Sequence, residues 1–200
     1  MSSKDLILGR VRAALRDDPA VPEVPRDYRR EFGQADLELF VDRLVDYRAV
    51  VHRDGDIAGA IGRIVKTGTL VVPPGLTRSW LPPEVEALVD DGLVPDRIAS
   101  ADGVVTAAAV AVAETGTIVL DGSPDQGRRI ISLLPDLHIC VIRPEQVVTS
   151  VPEALARLDP RRPLTWISGP SATSDIELNR VEGVHGPRNL HVILTPPGRA

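Results

Sequence analysis

Apolar residues at the start of the chain recur at helical spacing. Ile7, Val11, Ala14 and Leu15 share one face, and Ser2 with Asp5 makes a capping box. This predicts a helix over Ser3–Arg16, ended by Asp17, Asp18 and Pro19. Pro19, Pro22 and Pro25 then favour an extended linker, because proline excludes helix at its own position and disfavours it one residue before. Leu37, Phe40, Val41, Leu44 and Val45 form a second apolar stripe, predicting a helix over 36–48. From Ala49 the pattern changes. A short β run at 49–52, helical spacing of Ile57, Ile61, Ile64 and Val65, and a second β run at Leu70–Val72 predict a βαβ unit with parallel strands. Gly68 is the expected C-terminal cap of its helix. Pro82-Pro83-Glu84 predicts another short helix carrying Val85, Leu88 and Val89 inward.

Further along, Val104–Thr106 and Thr117–Leu120 read as strands. The run Ala107–Ala113 holds only alanine and valine. Its alanines suit a helix and its alternating Val110 and Val112 a strand; strand is the choice here, with Glu114-Thr115-Gly116 as the turn. Ile130–Leu134 and Leu137–Ile142 are further apolar runs, 152–158 is a predicted helix, and Thr165–Ile167 and Leu190–Leu194 are the last strands. The predicted class is α/β, with a mixed, mostly parallel sheet flanked by helices and a helical N-terminal arm. The expected division is an arm over 1–48, with its proline-rich linker at 17–35, and an α/β domain over 49–200.

Composition narrows the function. The chain has 200 residues, a net charge of −5 and dispersed basic residues, which argues against nucleic acid as a partner. One cysteine, Cys140, excludes a disulfide within the chain and any iron–sulfur or zinc site built from this chain's own thiolates. It reads as a buried apolar residue. No G-x-G-x-x-G fingerprint, Walker loop or G-x-S-x-G elbow occurs. No signal-like or membrane-length apolar run is present, so a cytoplasmic protein is the expectation. Four of the six aromatics, Tyr28, Phe32, Phe40 and Tyr47, lie in the arm region. They either anchor the arm on the domain or form a docking surface for a partner.

Three polar, glycine-rich stretches interrupt the apolar runs, next to strands where α/β proteins hold ligands. In the first, Glu114 is a candidate base or nucleophile, with Thr115, Gly116 and Thr117 offering hydroxyls and N–H groups to an anion. The alternative is a hairpin turn in which Glu114 caps backbone donors. In the second, Ser168, Gly169 and Ser171 precede Asp175 and Glu177, either as an anion-binding loop or as a helix cap. In the third, His185 stands between Gly183 and Gly186 as a candidate proton carrier, flanked by Arg180 and Arg188 for carboxylate or phosphate. Asp175, Glu177 and His185 match no metal-ligand spacing, so no metal site is expected. His52, His138 and His191 read as structural.

Four segments taken in order resemble the lactate utilisation protein C family, the LUD domain. They are A-E-T-G-T-I-V-L (113–120), R-x-I-S-L-L-P-D-x-H (129–138), I-S-G-P-S-x-T-S-D-I-E (167–177) and V-x-G-V-H-G-P (181–187). The resemblance covers about residues 50–195. It implies the fold shared by glucosamine-6-phosphate deaminase, ribose-phosphate isomerase and the CoA-transferases. It also implies a part in oxidising L-lactate to pyruvate alongside iron–sulfur partner proteins. With one cysteine the electrons must pass elsewhere, so the expected role is a non-redox, accessory one that binds a small carboxylate, another anion or those partners. Two alternatives stand beside it. One is a stand-alone enzyme with acyl-transferase or sugar-phosphate-isomerase-like chemistry at Glu114. The other is a non-catalytic sensing or scaffolding module that docks through the arm.

Overall fold

The structure, a computed structural model, describes residues 2–16, 22–26, 33–171 and 186–197. Its helices are α1 (Ser3–Ala14), α2 (Leu37–Asp46), α3 (Ile57–Val65), α4 (Pro95–Ala99) and α5 (Val151–Arg157). Its strands are β1 (Val50–Arg53), β2 (Gly68–Val72), β3 (Val85–Val89), β4 (Gly103–Thr106), β5 (Val110–Val112), β6 (Thr117–Leu120), β7 (Leu137–Ile142), β8 (Val147–Val148), β9 (Thr165–Ile167) and β10 (Asn189–Leu194).

Six strands form one sheet in the order β1-β10-β7-β4-β2-β3, with every neighbouring pair parallel. The expected α/β class is therefore borne out. The first βαβ unit exists, but β1 and β2 lie at positions one and five rather than side by side. Four strands of two to four residues make a second sheet, β8-β5-β6-β9, mixed in direction. The chain pattern did not reveal this second sheet.

The two sheets pack face to face, and this explains the alanine-valine run. Ala108, Ala111, Ala113 and Ile118 meet Cys140, Ile142, Val192 and Leu194 across the interface. Small side chains let backbone and sheet approach closely there, and the pleat turns Val110, Val112 and Val119 outward onto Ala154 and Leu158 at α5. On the far face of the large sheet, Val105, Ile139, Val141 and Ile193 meet Ala60 and Ile61 of α3. The layers are thus α3, large sheet, small sheet and α5. Helix α2 is capped by Asp36, whose carboxylate accepts the N–H groups of Glu38 and Leu39. It sends Phe40 and Leu44, both fully buried, into the inter-sheet core. Helix α1 has the expected Ser2–Asp5 capping box but buries none of its residues. Tyr28 and Phe32 lie outside the described residues.

Two local expectations need correction. Val85–Val89 is a strand, not a helix: its register with β2, Leu70 opposite Ala87 and Val72 opposite Val89, gives β-branched residues a parallel partner. Gly68 does not cap α3. Lys66, at φ 60°, ends that helix and donates its N–H to the Gly62 carbonyl, while Gly68 opens β2.

Candidate functional site

The turn between β5 and β6 and the loop after β9 meet at one place. Thr115 Oγ1 donates to Thr117 Oγ1 at 2.8 Å, and Thr117 Oγ1 is 2.8 Å from Ser168 Oγ. The Thr117 hydroxyl also lies 3.4 Å from the Thr115 carbonyl as a donor, so its single proton is shared between that carbonyl and Ser168, and either hydroxyl of the Thr117–Ser168 pair can donate. The third stretch joins them: Ser171 donates its backbone N–H to the Pro187 carbonyl at 2.7 Å, beside Gly186. The three stretches singled out in the sequence therefore converge as far as they are described. Asp175, Glu177, Arg180, Gly183 and His185 lie outside the described residues.

The glycines here answer to helix α2. Gly116 has φ 59°, and a Cβ on it would stand 2.7 Å from Arg43 Cβ. Gly169 has φ 90°, and its Cβ would meet Tyr47 Cβ at 2.7 Å. Both residues need a left-handed backbone and no side chain because the end of α2 presses on them. Glu114 is exposed at the turn, and its backbone N–H donates to the Thr149 carbonyl.

Beside Ser168 a cavity of about 290 Å³ opens between the 3-10 helix Arg129–Ser132, β9 and the loop ends at Ser171 and Gly186. Its floor includes His138, wholly buried, with Nε2 2.8 Å from Thr106 Oγ1. Burial pushes this imidazole down to about 4, so at neutral pH it is uncharged. Its burial within β7 fits the apolar-strand setting read from the sequence. Cys140, two residues on, is buried, and its thiol is pushed up to about 12, again by burial. That removes it as a nucleophile.

Arg129 supplies the charge. Its neighbour Arg128 is committed: Nε and a terminal nitrogen grip Asp90 at 2.8 and 2.5 Å, and the same nitrogen donates to the Leu93 carbonyl. Arg188 is likewise held, bidentate on Asp136, which also accepts from Asn189. These guanidiniums hold the Asp90 and Asp136 carboxyls below the usual range. Arg129 makes no ion pair with any described residue. It lines this cavity and a second one of about 320 Å³. Ser132 and Thr165 also line both. Arg129, Ser132 and Thr165 were not singled out as ligand residues in the sequence, although the R-x-I-S motif contains the first two. An arginine doublet gives no local sign of which member is neutralised.

In an open parallel sheet, ligands favour the crevice at the carboxyl ends of two strands whose connections leave in opposite directions. Here that crevice lies between β2, which leads outward to β3, and β4, which leads back toward β7. The chain fills it itself. Gly75 donates its N–H to the Pro124 carbonyl at 2.8 Å and Ala107 donates to the Asp125 carbonyl at 3.0 Å. Two donors that elsewhere greet a ligand are thus used by the loop after β6, while the cleft lined by Ser168 and Arg129 adjoins the stretches singled out in the sequence and is the candidate site. No group of three or more His, Cys, Asp or Glu side chains arranged for a metal occurs among the described residues. No helix among them is long and apolar enough to cross a membrane.

Residues 87–195 match the LUD domain family. A protein from Deinococcus radiodurans called Lactate utilization protein C is 47% identical over 169 residues, 79% of this chain and 78% of that protein. A protein of the same name from Exiguobacterium sp. is 40% identical over 102 residues, spanning 47% of this chain and 44% of its own length. The crystal structure of a DUF162 family protein from Deinococcus radiodurans superposes with a TM-score of 0.69 at 40% identity, covering 80% of this chain and 96% of that one. The layered α/β fold, the four ordered motifs and these likenesses agree, and the chain belongs to the LUD domain family.

Proposed function

We propose that this chain is a non-redox component of a cytoplasmic lactate-utilisation system and that its cleft binds a small 2-hydroxy or 2-oxo carboxylate. The observation that carries the reading is Arg129, exposed and in no ion pair with a described residue, lining the same cavity as Ser168, whose hydroxyl is 2.8 Å from Thr117 Oγ1. A guanidinium offers two parallel donors to a carboxylate, and the Ser168 hydroxyl can donate to the oxygen on C2. The neutral His138 beneath adds no competing charge. Relatives called Lactate utilization protein C support the system to which it belongs. The single cysteine, buried and protonated, supports routing electrons through iron–sulfur partner proteins rather than through a thiolate-held cluster in this chain. A deletion strain carrying Arg129→Ala in place of the wild-type chain should grow on L-lactate no better than the deletion itself. Growth equal to wild type would remove Arg129 from the function.

A second reading has Glu114 as base or nucleophile of a stand-alone enzyme. It is supported by the exposure of Glu114 at the head of the Thr115–Thr117–Ser168 hydroxyl chain.

A further inference from the structure

The volume around Arg129 is larger than a three-carbon acid requires. Two neighbouring cavities of about 290 and 320 Å³ share Arg129, Ser132 and Thr165 in their linings. Ligand pockets for drug-sized molecules begin at roughly 300 Å³, so each half alone approaches that size. The chemistry differs between the halves. The first presents the hydroxyls of Ser168 and Ser171. The lining of the second includes Pro74, Leu120, Pro124 and Pro163, together with Ser123 and Gln126. Asp90 and Arg128 also border the second cavity but neutralise each other through two hydrogen bonds. The Gln126 side-chain oxygen is occupied by the Asp121 N–H. The second cavity is therefore lined mainly by apolar surface, and Arg129 is its charged side chain without an ion-pair partner among the described residues.

We infer that the site takes 2-hydroxy or 2-oxo acids longer than lactate, with the carboxylate on Arg129, the C2 oxygen toward Ser168 and the alkyl chain running past Ser132 and Thr165 into the proline-lined cavity. This rests on the carboxylate-binding reading above and adds its substrate class. Each methylene entering apolar surface gains about 0.8 kcal/mol, which is about fourfold in affinity. The chain-length dependence therefore reports on the second cavity while absolute binding reports on the first.

The test is calorimetric titration of the full chain with L-lactate, 2-hydroxybutyrate, 2-hydroxyvalerate and 2-hydroxyhexanoate. Affinity should rise about fourfold per added methylene, and Pro163→Phe, which places a ring at the rim of the second cavity, should flatten the series. Arg129→Ala should weaken every member alike, by about tenfold or more. Lactate binding with no gain along the series, or with a loss, overturns the longer-acid inference and leaves the carboxylate cleft standing. A gain that Pro163→Phe leaves unchanged moves the chain out of the second cavity and overturns the placement. Binding of no member overturns both readings.

Discussion

His138 is buried at the floor of the cleft, and its one described polar partner is the Thr106 hydroxyl. Its pKa falls from an ordinary 6.5 to about 4 because the imidazolium would lose its water there. The unfolded chain therefore takes up a proton that the folded chain refuses between those values. Stability is full above pH 6.5 and declines as pH falls toward 4, by roughly 3 kcal/mol over the window. His52 and His191, stacked with centroids 5.2 Å apart, are lowered mainly by desolvation and add a slope of the same sign. Urea melts at pH 7, 6 and 5 should show a shallower pH dependence in His138→Gln than in the parent. Equal slopes would contradict a buried neutral imidazole. The role of His138 was legible, because a histidine flanked by Leu137 and Ile139 reads as part of an apolar strand. That of Arg129 was not: whether it or Arg128 is free depends on Asp90, 38 residues away from Arg128 in sequence and brought near only by the sheet.

At the scale of elements, the site is built by packing α2 against two turns. Gly116 combines a left-handed backbone with a Cβ position 2.7 Å from Arg43 Cβ and 2.9 Å from the Arg43 carbonyl carbon. Gly122 has a similar φ, 69°, but its nearest neighbours would be 3.7 and 3.8 Å away. Gly116→Ala should therefore cost about 3 kcal/mol, from strain and overlap together, while Gly122→Ala should cost about 1 kcal/mol from strain alone. Chemical denaturation of the two variants checks the difference, and equal costs would mean that α2 does not press on the turn. The turn itself was readable from Glu114-Thr115-Gly116 between apolar runs. The reason for its glycine was not, since Arg43 belongs to an element 70 residues earlier. The same limit explains β3. Val85, Leu88 and Val89 fit a helical face after a double proline, and only β2 alongside turns Val85–Val89 into a strand.

For the molecule as a whole, the parallel sheet was legible because strands and helices alternate along the chain. The second sheet was hidden because its strands are two to four residues long and pair non-sequentially, β8 with β5 and β9 with β6. That second sheet makes the site. It brings Ser168, held by the Thr117 hydroxyl, to the cleft, while the 3-10 helix before β7 brings Arg129 to the same cleft. The loop after β6 also occupies part of the crevice that parallel sheets ordinarily leave open, with the Pro124 and Asp125 carbonyls accepting from Gly75 and Ala107 just past β2 and β4. Trp166, 40% exposed, lines the cleft, while the other tryptophan, Trp80, packs against the α3 side of the large sheet. The most direct test is titration of the full chain with L-lactate, followed by tryptophan fluorescence. A saturable change in the parent that Arg129→Ala shifts to concentrations at least tenfold higher is the predicted result. No saturable change, or the same curve in both proteins, would contradict a carboxylate site at Arg129.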